Sequence, residues 1–179
     1  MKKNNKGYLL LECLISLFIV ITICFSLYFF LNSANKYKIL TQDKVELYEQ
    51  SQELYYQINK VIESSDNIMS IMDISGKTIT GNTSSYVKVK SIKCKYQNEF
   101  RSKLNDKDKD KEISYKSSHK LFINTLNKSG GSEPGGYEIG DYVDFISVMI
   151  NDKKVSVKLS LSKNKEQYES VFYCYMKDF

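Results

Sequence analysis

The sequence of 179 residues contains one proline and no tryptophan, and no glycine or proline falls between Gly7 and Gly76. A single proline excludes a proline-rich linker or stalk. The glycine-free stretch is far longer than an ordinary helix of about 11–12 residues. His119 is the only histidine, and the chain has no GxSxG, P-loop or HExxH motif. We therefore identify no catalytic residue, predict that the protein is not an enzyme, and expect neither a cofactor nor a metal site.

An apolar run from Tyr8 to Leu31 opens the glycine-free stretch. As a helix, this run spans roughly 36 Å, which is enough for a hydrocarbon core of about 30 Å. The charged residues before it are Lys2, Lys3 and Lys6, with no acid among them. Because lysines favour the cytoplasmic side, we expect a single-pass membrane protein with its N-terminus in the cytoplasm and its C-terminal part outside.

Other kinds of membrane signal fit this run less well. A cleaved secretory signal has an apolar region of about 7–15 residues followed by a small-x-small site, whereas this run is longer and ends in Asn32-Ser33-Ala34. A lipoprotein signal needs a small residue before Cys13, where Glu12 stands. A plain uncleaved anchor is physically adequate and remains an alternative.

Glu12 is the one charge inside the apolar run. A carboxylate placed there costs on the order of 3 kcal/mol unless it finds a partner. There is no Lys, Arg or His from Tyr8 to Leu31. The partner is therefore either interfacial water and headgroups, or a positive charge on another chain.

The N-terminal sequence MKKNNKG followed by YLLLECLISLFIVI combines a basic leader, Gly7, and an apolar helix with glutamate at its fifth position. This pattern resembles the class III signal of type IV pilins and pseudopilins. The resemblance implies cleavage between Gly7 and Tyr8 by a prepilin peptidase and N-methylation of Tyr8, where family members usually have Phe or Met. It also implies that Glu12 guides assembly by facing the terminal amine of a neighbouring subunit.

The family implies further partners, namely other pilin or pseudopilin subunits, an assembly platform protein and an ATPase. It implies a protein that is first anchored in the membrane and then part of a cell-surface filament. The strand-rich C-terminal half resembles minor pilins or pseudopilins of the PilW, ComGF and GspJ type. Adhesion, twitching, DNA uptake and secretion share this signal. The competing hypothesis is a signal-anchored extracytoplasmic binding domain that does not polymerise.

The glycine-free stretch continues as an amphipathic pattern, which predicts one helix over residues 8–65 with its first part, 8–31, in the membrane or filament core. Its apolar stripe comprises Leu40, Leu47, Tyr48, Leu54, Tyr55, Ile58, Val61 and Ile62. After residue 65 the apolar period changes from 3.6 to 2. We expect residues 1–7 to form a leader and residues 66–179 to form a β-rich extracytoplasmic domain, which gives an α+β, pilin-like fold with the helix packed on an antiparallel sheet.

Alternation and turn residues define the expected strands. They are Ile71–Ile74, Lys77–Thr80, Tyr86–Tyr96, Lys120–Leu126, Tyr142–Ile150, Lys154–Leu161 and Ser170–Met176, with a bulge near Ser91. Val155, Val157, Leu159 and Leu161 are expected to share a buried face. The polar segment 97–120 and the glycine-rich segment 128–141 are predicted to be mobile loops.

Three other sets of residues carry chemistry that the sequence leaves open. Cys94 and Cys174 lie in expected strands of an exported domain, where they form either a disulfide or two free core thiols, while Cys13 and Cys24 are small apolar residues of the membrane helix. Lysines alternate with other residues from Tyr86 to Tyr96, and nucleic acid is a minor candidate partner there. Asp106, Asp108 and Asp110 resemble the start of an EF-hand loop but lack its later glycine and glutamate.

Overall fold

The computed structural model describes residues 6–96 and 109–177. Within these ranges the chain forms one helix, α1 (Lys6–Glu63), followed by nine strands. It divides into two compact units, one ending at Gln42 and the other beginning at Asp43, and α1 contributes to both. A long helix followed by an antiparallel sheet confirms the α+β class. The helix begins two residues before the predicted start.

The strands all lie in the second unit, which we call the sheet domain (residues 43–177 of the described ranges). They are β1 (Asn67–Asp73), β2 (Thr78–Ile79), β3 (Val87–Lys95), β4 (Lys111–Lys116), β5 (Lys120–Thr125), β6 (Tyr137–Gly140), β7 (Val143–Asn151), β8 (Lys154–Lys163) and β9 (Glu166–Tyr175). Every pairing is antiparallel, and the main path runs β6-β5-β4-β3-β7-β8-β9. Strand β1 pairs with β2 and with β3.

A bulge in β3 sits where that strand changes partners. Its first residues, from Val87, pair with β7, and its later residues, from Ser91, pair with β4. The register against β1 skips Lys90. The buried side chains accordingly change phase, from Val89 to Ile92. The predicted bulge is therefore confirmed, and because a bulge bends its strand, it accounts for the curl of the sheet at this point.

The core forms where the outer part of α1 meets the concave face of the sheet. The fully buried helix residues include Leu47, Leu54, Ile58 and Ile62. The sheet contributes, among others, Ile71, Val89, Ile92, Ile113, Leu121, Ile146, Val155, Val157, Leu159 and Leu161. The buried face predicted for β8 is confirmed. Tyr48 and Tyr55 of the predicted stripe remain partly exposed, and each ring packs edge-on against an aromatic ring of β9.

Strands β6 and β9, at the two ends of the ladder, both touch the same turns of the helix. On one side, a Cβ placed on Gly140 of β6 would lie 2.7 Å from Leu54 Cδ2 and 2.4 Å from Gln50 Nε2. On the other side, the Ser51 and Ser170 hydroxyls are 2.8 Å apart. The sheet thus curls around the helix, and glycine at position 140 permits the close approach of β6.

A polar clamp joins the start of the helix in this unit to the β8–β9 turn and to Tyr142. The clamp consists of Asp43, Glu46, Tyr142, Lys163 and Asn164. The Tyr142 hydroxyl donates a 2.9 Å hydrogen bond to Glu46, the Lys163 ammonium donates to the other oxygen of Glu46, and the Asn164 amide donates to Asp43 at 2.9 Å. Tyr142 has a φ of 63°, which is costly for a bulky residue, and its hydroxyl bond helps to hold it there.

Two strands lie in segments that the sequence analysis predicted to be loops, so those predictions were wrong in part. Strand β4 falls within 97–120. Its polar residue Glu112, which looks like a loop residue in the sequence, is buried there and accepts a hydrogen bond from Ser132. Strand β6 falls within 128–141, where glycine and proline are concentrated. Strand β9 begins at Glu166, four residues before the predicted start. The rest of the first predicted loop, 97–108, lies outside the described residues.

The contact at Gly140 yields a stability prediction. Gly140→Ala should lower the free energy of unfolding by about 1–3 kcal/mol, because the added methyl group overpacks the buried Leu54 side chain. Thermal unfolding of the full chain in detergent measures the change. Gly131→Ala is the matched control: that Cβ meets only the Asn127 side chain, at 3.3 Å, so a much smaller effect is expected. Equal losses in the two variants would contradict this packing account.

The clamp also predicts a pH dependence. The Lys163 hydrogen bond, followed by the Tyr142 bond, lowers the pKa of Glu46 below its ordinary value of 4.5. The Glu46 bond raises the pKa of Lys163 above 10.5. The stabilisation from Glu46 is therefore complete above pH 4.5 and is lost as the pH falls through the lowered pKa, whereas that from Lys163 is complete below pH 10.5 and is lost as the pH rises through the raised pKa.

We accordingly expect Glu46→Gln to lower the melting temperature most near neutral pH. The difference from the unsubstituted chain should shrink as the pH falls from 4.5 through the lowered pKa of Glu46, since the unfolded chain takes up the proton first and the folded chain only at the lower pH. Melting curves of both proteins between about pH 3 and pH 8 measure this difference. A difference that stays constant across that range would show that the Glu46 charge does not stabilise the clamp.

Candidate functional site

The apolar segment, Tyr8–Leu31, is the part of the described chain with the most unusual surface. Every large apolar side chain in it is between 51% and 73% exposed, so none of its faces is buried against the rest of the described residues. Its window of highest mean hydropathy reaches 2.6, and the helix is long and apolar enough to span a membrane. A helix that is apolar all round is stable only when lipid or other apolar helices surround it.

Two hydroxyl groups of the apolar segment, those of Thr22 and Ser26, are satisfied by its own backbone. Thr22 donates to the Phe18 carbonyl at 2.8 Å, and Ser26 donates to the Thr22 carbonyl at 2.9 Å. Each of these i to i−4 bonds satisfies a hydroxyl donor that would otherwise face an apolar surrounding. The two residues therefore do not interrupt the apolar character of the helix, although the sequence shows them as polar interruptions.

Glu12 is the one charged residue of the apolar segment. Its side chain is exposed on the helix surface. No hydrogen bond or ion pair joins it to any residue of the described ranges 6–96 and 109–177. The Gly7–Tyr8 bond, which the pilin resemblance marks for cleavage, lies in the first turn of α1, one turn before Glu12. Lys2 and Lys3 of the predicted leader lie outside the described residues, and Lys6 is the first residue of α1.

The far end of the apolar segment has the composition of a membrane interface. Tyr28 and Phe25 both pack edge-on against Phe29, at ring centroid distances of 5.9 and 4.9 Å. Lys36 and Lys38 follow within the next turns of the helix. Tyrosine is enriched at headgroup level, and lysines near the end of a membrane helix extend to the interface. The composition here is therefore typical of the end of a helix that is able to span a membrane.

The four cysteines divide into two pairs of different character. Cys13 and Cys24 are exposed on the apolar segment, whereas Cys94 and Cys174 are fully buried in the sheet domain. All four are free thiols, so the disulfide that the sequence left open between Cys94 and Cys174 is not formed in this structure. Burial raises the pKa of both thiols to about 12. As protonated core groups they have little nucleophilic character.

The lysine-rich strand β3 is largely occupied by structural contacts. The Lys93 ammonium donates to the Gly130 carbonyl at 2.7 Å, and the Tyr96 hydroxyl donates to the Val61 carbonyl from a buried position. Lys88 lies over the Phe145 ring at 3.9 Å. Lys88 and Lys90 are exposed, while Lys93 and Lys95 are only half-buried. Because the buried side chains change from Val89 to Ile92 and Cys94 across the bulge, the four lysines lie together on the face of β3 opposite the core, whereas Tyr96 is buried. Nucleic-acid binding at this strand stays a prediction.

Two further predicted groups have structural partners. His119 is exposed, with a φ of 61°, and its Nδ1 lies 3.1 Å from the Val143 carbonyl oxygen. Asp110 accepts a hydrogen bond from the Tyr96 amide at 2.9 Å, while Asp106 and Asp108 lie outside the described residues. No group of three or more His, Cys, Asp or Glu side chains that could hold a metal ion occurs within the described part of the chain.

Sequence reasoning missed a row of partly exposed aromatic residues between the helix and β9. Tyr48 packs on Tyr168, and Tyr55 packs on Phe172, with ring centroids 5.9 and 4.9 Å apart. The sequence signal for this row is the spacing of seven residues between the two helix tyrosines, but both tyrosines were assigned to the apolar stripe of the helix.

Comparison with known proteins found no matching family model, no matching curated protein and no matching solved structure.

Proposed function

We propose that this chain is a minor pilin or pseudopilin subunit of a type IV pilus-like filament. The observation that carries the proposal is the apolar segment: it is exposed on all sides and contains one carboxylate, Glu12, with no partner in the described part of the chain. Lipid covers such a surface before assembly, and the equivalent helices of neighbouring subunits cover it afterwards. The same surface thus serves as membrane anchor and as packing surface.

Processing connects these two states. In the proposal, Lys2, Lys3 and Lys6 hold the leader in the cytoplasm, a prepilin peptidase cleaves after Gly7, and Tyr8 becomes the methylated N-terminus. Cleavage creates a positive terminal amine one helical turn before Glu12 in sequence. In a filament, the amine of one subunit faces Glu12 of its neighbour, which offsets the cost of a carboxylate in an apolar core. An assembly platform protein and an ATPase would drive the transfer out of the membrane.

The tertiary structure is compatible with an apolar segment that leaves the membrane while the sheet domain stays folded. The sheet domain completes its core with the helix residues from Leu47 onward and takes no side chain from the apolar segment. Extraction of that segment from lipid therefore leaves the core of the sheet domain unchanged. A signal-anchored binding domain that stays in the membrane is the alternative, and the two differ in whether the chain enters filaments.

The role of Glu12 is tested by substitution. Glu12→Ala should leave leader cleavage and membrane level unchanged but lower incorporation into sheared surface filaments by roughly tenfold or more, because losing one partner of a buried charge pair costs about 2–5 kcal/mol. Quantitative immunoblots of membranes and sheared filaments measure both effects. Ser16→Ala, one turn later on the same helix, is the matched control and should be incorporated normally.

Two results of that experiment would count against the proposal. Incorporation of the Glu12→Ala chain at the level of the unsubstituted protein would refute the assigned role of the carboxylate. Absence of the unsubstituted chain from every sheared filament, with a normal level in the membrane, would favour the anchored domain that does not polymerise.

A further inference from the structure

Strand β9 is the free edge at one end of the ladder. Among the described strands it pairs only with β8, over ten residues in an unbroken register from Lys163↔Glu166 to Lys154↔Tyr175. The Met176 amide donates to the Lys153 carbonyl at 2.9 Å, which fixes the alternation of hydrogen-bonded pairs. Even-numbered residues of β9 therefore bond to β8. The residues whose backbone N–H and C=O groups point away from β8 are Gln167, Glu169, Val171, Tyr173 and Tyr175.

This edge lacks the features that ordinarily prevent a free edge strand from pairing with other chains. Such strands are protected by lysine, proline, a bulge or short length. Strand β9 is ten residues long, regular, and free of both lysine and proline. Its charged residues are Glu166, which forms an ion pair with Lys44, and Glu169, which forms one with Lys158.

The second half of β9 has the composition that most favours pairing with a further strand. Residues 170–175, with the sequence SVFYCY, carry no charge and are rich in aromatic residues. A short uncharged segment of high β-propensity on a sheet edge readily accepts another strand. Val171, Tyr173 and Tyr175 are each at least half exposed. An edge of this composition is a liability unless another polypeptide covers it.

A groove runs between the helix and this edge. A cavity of 370 Å³ is lined by Ser51, Gln52 and Tyr55 of the helix and by residues 168 and 170–172 of β9. A second cavity, of 680 Å³, continues along the seam, where Tyr56, Asn59, Lys60, Glu63 and Ser64 face Tyr175, Met176 and Lys177. Together the two cavities follow β9 to its C-terminal end. We call the free backbone edge and these cavities the edge groove.

We propose that the edge groove binds an extended, proline-free segment of a partner protein, which adds to the sheet beside β9. The outward backbone groups of β9 would provide the main-chain hydrogen bonds, and the tyrosine-lined cavities would take the alternate apolar side chains of the added segment. The inference does not depend on filament assembly, because an anchored domain that does not polymerise would present the same edge.

The course of the chain argues against antiparallel pairing of β9 with β9 of a second copy. The helix and β9 run in the same direction along the seam, because Tyr48 lies beside Tyr168 and the later Tyr55 lies beside the later Phe172. Antiparallel pairing of two β9 edges would thus place the two Asp43 ends at opposite sides of the pair. Two sheet domains that stand on one membrane, each with its Asp43 end towards it, could not adopt that arrangement.

Amide hydrogen exchange tests the edge directly. The probe is the synthetic peptide KVSVKLSLSK, which has the sequence of β8, the natural partner of β9 on its other side. It is added to the isotopically labelled full chain in detergent micelles. Exchange at the outward amides of Val171 and Tyr173 should slow by at least about tenfold, while the inward amides of Ser170 and Phe172, already bonded to β8, should change little.

Substitutions at one outward position provide the control. Val171→Pro removes an outward N–H without removing a bond to β8, so the inward amides should stay protected while protection by the peptide is lost. Val171→Thr keeps the N–H and should behave like the unsubstituted chain. If Val171→Pro loses protection of the inward amides, Val171→Lys replaces it, since an edge lysine opposes pairing while the ladder to β8 is kept.

Four results would overturn the proposal. The first is unchanged exchange of the outward amides on addition of the peptide. The second is slow exchange without peptide that becomes fast on dilution, which would show that a second copy occupies the edge. The third is slow exchange without peptide at every concentration, which would show that the chain itself covers the edge. The fourth is full protection by the peptide of a folded Val171→Pro or Val171→Lys chain.

Discussion

The exposed apolar surface of residues 8–31 is the physical constraint that most limits the surroundings in which this chain is stable. In water, this surface would be covered by aggregation, so the chain requires a membrane or a bundle of like helices around it. Two of its polar side chains are compatible with such surroundings, because Thr22 and Ser26 donate hydrogen bonds to the backbone of their own helix. Glu12 has no partner among the described residues, and in the proposed filament the terminal amine of a neighbouring subunit supplies the positive charge that it lacks.

The sheet domain solves a different physical problem with the later turns of the same helix. A sheet with one apolar face must cover it, and the helix from Leu47 to Ile62 fills the concave side. The bulge at Lys90 curls the sheet, Gly140 lets β6 reach the helix, and the polar clamp fixes the β8–β9 turn to Glu46. The curl brings both ends of the ladder to the helix, and among the described strands β9 pairs only with β8, which leaves its other edge beside the groove.

The long helix and most of the strands could be predicted because their patterns reflect burial directly. Val155 to Leu161 alternate because one face of β8 is buried, and the phase change between Val89 and Ile92 predicted the bulge. Strand β4 escaped prediction because Glu112 looks solvent-exposed until Ser132 is placed beside it. Strand β6 escaped because Gly140 looks like a loop residue, although packing against Leu54 requires glycine there. Such tertiary partners leave no local periodicity in the sequence.

The central claim is that the apolar helix begins, in the mature protein, at Tyr8. Intact-mass and N-terminal peptide analysis of the protein from cell membranes measures this most directly. The mature chain is expected to lack its first seven residues and to carry a methylated amine on Tyr8. A chain that retains Met1, or one cleaved near Ala34, would contradict it.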